Sequence, residues 1–309
     1  MTTALRTGQL VQDRLGSYNI SNQLHRDVWT AIGTRCSQKY IVKSAPPHRL
    51  DNERAILKTL GHQSGVRRLV DDIQNPPLLV LQYYDDNLLN YCRTKSVEGC
   101  ELKTVAKTVL QALAALHNQG LVHTDVKPDN IFINYSDNPK IISEVALGDF
   151  GDTCHVGPNP DPNEDGHIIG AGIFRSPEAM LNLRWGPPTD IWSFGATMNF
   201  FGPLPDKFTE IVDEERATMA MQLKGYVESM SSAQRKPFAR AEDAVLTKET
   251  RQFLCRIMKL DPRDRPTANQ LLGDEWFDGI QVATLLTTMA VPASMWLKIT
   301  QVILPEYVP

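Results

Sequence analysis

Over residues 18–83 the apolar positions come in short runs with strand-like spacing, and from residue 84 they recur at three and four. Tyr18-Asn19-Ile20 and Val28-Trp29-Thr30-Ala31 read as the arms of a hairpin, and Tyr40–Lys43 as a short strand. Pro46-Pro47 stops that strand, because proline lacks the donor a ladder needs. Leu50–Leu60 follows as a short helix with Ile56, Leu57 and Leu60 on one side, and Val66–Val70 and Leu78–Gln82 as further strands. Leu102, Val105, Ala106, Val109, Leu110, Leu113 and Leu116 then mark a long helix that Gly120 ends. Leu121-Val122-His123 and Ile131-Phe132-Ile133 are short strands flanking a polar loop. Helices dominate thereafter, and Thr267-Ala268-Asn269-Gln270 has capping-box spacing. The pattern predicts an α+β chain of two lobes, β-rich over about 18–83 and helical over about 84–277, flanked by segments 1–17 and 278–309. A cleft between two such lobes is a natural ligand site.

The polar loop His123-Thr124-Asp125-Val126-Lys127-Pro128-Asp129-Asn130 carries candidate chemistry, with Asp149-Phe150-Gly151 nineteen residues beyond Asn130. Asp125 can accept the proton of an attacking hydroxyl, and Lys127 can neutralise charge on a moving phosphoryl group. Asn130 and Asp149 offer hard oxygen ligands for Mg²⁺. The loop pattern alone is shared with small-molecule kinases, and the later Asp-Phe-Gly narrows the choice.

At these residues the chain resembles the eukaryotic protein kinases of serine/threonine type. Lys43 closes a strand like that of the ATP lysine, and Glu53 is placed like its helix partner. Ser176-Pro177-Glu178, Asp190–Gly195 and Asp261–Thr267 resemble the family's later motifs in order, over residues 18–277. The resemblance implies the bilobal protein-kinase-like fold, ATP and Mg²⁺ as cofactors and a protein substrate. It also implies that Ile20 and Val28 on the hairpin, Leu81 at the gatekeeper position, and Gln82 and Tyr83 in the connector line the nucleotide with Lys43 and Glu53. Glu178 with Arg265 resembles a structural ion pair, and Asp190 a brace for the catalytic loop. His123 reads as a packed histidine and Cys154 as a small apolar residue.

Several positions depart from the family. Lys43 and Glu53 are ten residues apart, a short spacing that implies a trimmed connection. Ser21, Gln23 and Arg26 stand where the phosphate-covering loop has glycines. Thr124 replaces an arginine that commonly pairs with a phosphorylated loop, and Cys154–Arg175 contains no Ser, Thr or Tyr. His-Thr-Asp with the following Lys-Pro, and Arg175-Ser176, resemble the SR-protein kinase branch, as Asp213-Glu214-Glu215 and Gly225 do more weakly. Ala171 replaces a threonine that bridges the catalytic Asp and Lys in these kinases. Lys127 favours serine/threonine over tyrosine.

The chain's 309 residues suffice for a large core, and 42% hydrophobic with 22% charged residues is a globular balance. A net charge of −4 argues against general nucleic-acid binding. The five scattered cysteines suggest neither zinc nor a disulfide framework, and an intracellular, cytoplasmic or nuclear, setting is expected. No run reaches about 18 uninterrupted apolar residues, so no membrane span is expected, although 280–304 is rather apolar. Asp161, Glu164 and Asp165 could draw a basic or serine/arginine-rich substrate, or be a solvated loop. A kinase-like binding module with little turnover is the main rival to an active kinase, and a small-molecule kinase is the second.

Overall fold

The computed structural model describes residues 5–13, 16–60, 63–92, 97, 99–137, 140–156, 169–198 and 247–278. Asp161, Glu164, Asp165, Asp213-Glu214-Glu215, Gly225 and the apolar segment 280–304 lie outside them.

The first lobe is a six-stranded antiparallel sheet in the order β1-β2-β3-β4-β6-β5. Its strands are β1 (Leu10–Gln12), β2 (Ser17–His25), β3 (Val28–Gly33), β4 (Lys39–Lys43), β5 (Leu69–Ile73) and β6 (Leu78–Gln82). Helix α1 (Pro47–Leu60) crosses between β4 and β5. It begins three residues earlier than Leu50, because proline is tolerated in a helix's first turn. Register fixes two faces. Val28 opposite Lys43, and Ile41 opposite Leu81, lie on one face. Tyr18, Ile20, Trp29, Ala31, Val42 and Val80 form the core on the other.

The strand expected at Val66–Val70 runs instead over Leu69–Ile73. Val66 makes an isolated parallel bridge to Leu147, and the Arg67 amide donates to the Leu147 carbonyl at 2.9 Å. That stretch therefore ties the sheet to the second lobe rather than extending β5.

The second lobe holds α2 (Leu88–Cys92), α3 (Gly99–His117), α4 (Pro177–Met180), α5 (Pro187–Thr197), α6 (Lys248–Ile257) and α7 (Ala268–Leu272). Gly120 follows α3 at φ +70°, a conformation glycine adopts without strain. The capping box at Thr267 and Gln270 is complete. Strands β7 (Asp86–Asn87), β9 (Ile131–Asp137) and β10 (Lys140–Leu147) form a small sheet, and β8 (Leu121–Val122) pairs with β11 (Cys154–His155). A bulge between Ile142 and Glu144 breaks the β9–β10 alternation. It aims Glu144 at the connector, where its carboxylate accepts from Gln82 Nε2, the Tyr84 hydroxyl and Asn134 Nδ2. Asn134 Oδ1 in turn accepts from the Asp85 amide. Among the described residues no helix is long and apolar enough to cross a membrane.

Candidate active site

Lys43 ends β4 on the open face of the sheet, and the short connection delivers α1 with Glu53 beside it. Lys43 Nζ lies 2.7 Å from Glu53 Oε2 and 2.6 Å from Asp149 Oδ1. Burial would lower the Lys43 ammonium, but the Glu53 and Asp149 carboxylates raise it above the ordinary lysine value. Burial would likewise raise the Asp149 carboxyl, yet Lys43, with Arg49 and His123 behind it, holds it down at about 2. Lys43 and Asp149 therefore hold each other in their charged forms.

Helix α1 also grips the segment after Asp149. Arg49 Nη2 reaches Asp152 Oδ2 at 2.7 Å, and Asn52 Nδ2 donates to the carbonyls of Gly151 and Thr153 at 3.0 and 2.8 Å. Sequence reading missed both residues. Arg49 stands one helical turn before Glu53, the only local signal available.

The catalytic loop hangs from buried Asp190, whose carboxylate accepts from the amides of His123 and Thr124 at 2.8 and 2.9 Å. His117 Nε2 lies 2.9 Å from the same carboxylate. His123 is fully buried, against the Gly148 carbonyl and the Phe150 ring edge, as a packed histidine. Thr124 sits at φ +68° and Asp149 at φ +60°, conformations costly for side chains other than glycine. Lys127 Nζ lies 2.7 Å from Asp125 Oδ2, so the pair meets directly although Ala171 brings no hydroxyl. Asn130 Nδ2 donates to both the carbonyl and Oδ2 of Asp125, leaving its amide oxygen as an acceptor.

Asp149 and Asn130 thus present hard oxygens beside two lysines. No group of three or more His, Cys, Asp or Glu able to hold a metal occurs among the described residues. A Mg²⁺ held here would complete its shell with phosphate and water oxygens, which is that ion's habit. The donor set fits Mg²⁺ with a polyphosphate.

Of the expected nucleotide-lining residues, Val28 and Leu81 share the face of Lys43, joined by Ile41, which was not foreseen. Ile20 does not. It pairs in register with Ala31, so pleat alternation puts it on the opposite face, 1% exposed in the sheet's core. Tyr83 lies under the Lys39 ammonium at 5.2 Å. Gln82 is bound at three polar groups: its backbone amide donates to the Arg68 carbonyl, its Nε2 to Glu144, and its backbone carbonyl accepts from Arg67.

The loop without glycines closes as a twisted hairpin. Register slips between Ile20, Gln23 and His25, and none of residues 21–26 takes a positive φ. Ser21 Oγ donates to the Thr30 carbonyl at 3.0 Å, and Gln23 Nε2 to the Arg26 carbonyl at 3.2 Å. Two of the side chains that replace glycine, those of Ser21 and Gln23, stitch the hairpin together.

Further out, Arg265 makes a bidentate bond to Glu178 at 2.7 and 2.8 Å and lies over the Trp192 ring. Cys154 packs beside Val122, Ile169 and Trp185.

A family model described as the protein kinase domain matches residues 25–277. The serine/threonine-protein kinase US3 homolog of varicella-zoster virus (strain Dumas) is 24% identical over 280 residues, 81% of this chain and 69% of the relative. The serine/threonine-protein kinase PAK mbt of Drosophila melanogaster is 28% identical over 228 residues, covering 72% of this chain and 32% of the relative. Serine/threonine-protein kinase 33 of Mus musculus is 25% identical over 270 residues, with 82% and 52% covered. The chain spans from 32% to 69% of the length of these relatives.

Proposed function

The chain belongs to the protein kinase family, and on that premise we propose that it transfers the γ-phosphoryl group of ATP or a related purine nucleoside triphosphate to a serine or threonine hydroxyl of a protein. The observation that carries the reading is Lys43 held at 2.7 Å by Glu53 and at 2.6 Å by Asp149. Asp125, Lys127 and Asn130 are already joined to one another, and the amide of Gly148, next to Asp149, donates to the Asn130 carbonyl at 2.9 Å. Bound Mg²⁺-nucleotide would supply the phosphoryl group and the metal that neutralises its oxygens. Asp149 and Asn130 would hold the metal, and Lys43 the phosphates, with Glu53 keeping Lys43 extended. Asp125 would take the proton of the attacking hydroxyl while Lys127 offsets charge on the group in transit. The protein's part is positioning and electrostatics.

His123-Thr124-Asp125 and Arg175-Ser176 support an SR-kinase-like substrate choice, whereas the relatives carry the names of other kinases. A serine/arginine-rich peptide is therefore the first substrate to try, alongside a general basic protein. The test is radiolabel transfer from the γ-position with Mg²⁺, with Asp125→Asn as control. Nucleotide binding without transfer to any protein would favour the binding-module reading instead.

A further inference from the structure

Two arginines stand side by side in Val66-Arg67-Arg68-Leu69; Arg68 is exposed and Arg67 is not. Arg67 is only 7% exposed and has no carboxylate at ion-pair distance among the described residues. A buried guanidinium without such a partner is costly and calls for a reason. Burial lowers it to about 10, with Glu53 and Asp149 attracting it from a distance, so it remains a cation at neutral pH.

Its path is specific. The stem passes Gly148, where a Cβ would stand 3.1 Å from Arg67 Cδ and 2.8 Å from Phe132 Cε2. The missing side chain at 148, next to the metal-ligand candidate Asp149, makes room for the arginine. The guanidinium then lies 4.0 Å from the Phe132 ring centroid and 5.9 Å from that of Tyr84. Nε and Nη2 both donate to the Gln82 carbonyl, at 3.0 and 2.9 Å. Of five N–H groups, the two on Nη1 have no hydrogen-bond partner among the described residues.

These contacts place a cation between Gln82 of the connector and Gly148, the neighbour of Asp149, and the family resemblance puts the base of a nucleotide against Gln82. A connector reads a base with its main-chain groups. Here one main-chain acceptor is already filled by two donors, and the group that fills it offers more donors. An amine on the base edge would meet an occupied oxygen and a positive charge. A carbonyl on that edge would accept from the guanidinium.

We propose that Arg67 selects the nucleobase, so that the cleft prefers a purine with an oxygen at position 6, as in GTP and ITP, over the amine of ATP. The proposal rests on the kinase reading and names its phosphoryl donor. No covalent step beyond ordinary γ-phosphoryl transfer is involved.

The experiment titrates the full chain with ATP, GTP and ITP in Mg²⁺ by calorimetry, beside the variants Arg67→Leu and Arg67→Gln. The expected result is GTP and ITP binding about tenfold or more tighter than ATP in the parent. In Arg67→Leu the order reverses. Arg67→Gln, which keeps a donor for the Gln82 carbonyl without the charge, serves where the apolar variant does not fold, and it too narrows the gap. Tighter binding of ATP by the parent, unchanged in the variants, would overturn the proposal and leave the kinase reading intact. GTP binding without ITP binding would implicate the 2-amino group and overturn it as well. Failure of parent and folded variants to bind any of the three would overturn both.

Discussion

The Thr124 hydroxyl donates to the main-chain oxygen of Asp152 at 2.8 Å. The Asp152 carboxylate at the same time holds Arg49 of α1 at 2.7 Å. One residue therefore links the catalytic loop to the helix that carries Glu53. Where the resembled family uses an arginine and a loop phosphate, this tie uses a neutral hydroxyl and a side-chain ion pair already in place.

The protein is expected to be active as synthesised, because Cys154–Arg175 has no hydroxyl to modify and Thr124 no charge to pair with a phosphate. Phosphatase treatment should leave the transfer rate unchanged. Thr124→Val, which keeps the branched shape, should lower kcat with or without that treatment. A rate abolished by phosphatase and restored by another kinase would show that a site elsewhere does the switching.

Asp125→Asn should reduce transfer by a factor of about 10² to 10⁴, the usual range for a general base. Asp125 bonds Lys127 and Asn130 rather than Lys43, so the calorimetric affinity for Mg²⁺-nucleotide should hold. Equal turnover by the two proteins would remove Asp125 from its proposed role.

The Lys43–Asp149 pair sets an acid limit. The Asp149 carboxyl is lowered on folding to about 2, so its stabilising contribution is complete above the ordinary carboxylate range near pH 4. It is lost as pH falls from there through about 2. The Lys43 ammonium is raised, so its contribution is present below the ordinary lysine range and lost only at still higher pH. Urea midpoints should be flat in this term from about pH 4 to 10 and fall below. Asp149→Asn should lack that part of the acid loss; an identical acid limb in both proteins would count against the pairing.

Glu178→Ala should destabilise the second lobe by about 3–5 kcal/mol, because it strands a buried guanidinium. Far-UV melting should report it as a large drop in midpoint. A loss under about 1 kcal/mol would mean that water or the Pro188 carbonyl satisfies Arg265 unaided.

How far the sequence could be read depended on whether a signal was local. Lys43, Glu53, Asp125 and Asp149 come from motifs in order, and the structure brings Lys43, Glu53 and Asp149 together. The α3 helix followed from apolar spacing alone, because its buried face is continuous from Val105 to Leu116. Ile20 went to the wrong face because its partner across the hairpin is Ala31, an odd number of residues from Val28 and so on the other side of the pleat. Glu144 is presented by a bulge that interrupts the alternation by which a strand is recognised. Arg67 had no local mark at all: its burial depends on the absent side chain of Gly148, far along the chain.

The doubly held Gln82 changes how such a molecule can breathe. Arg67 grips its carbonyl from the first lobe, and Glu144 grips its side chain from the second, with Tyr84 and Asp85 fastened to the same network. The segment that would pivot is splinted. Widening the gap between the lobes requires breaking several bonds at once, so traffic through it would be limited by rare collective opening rather than by easy swinging. Amide exchange at Tyr83–Asp85 as slow as that of β6 would be its signature, and rapid exchange there would argue for a free pivot.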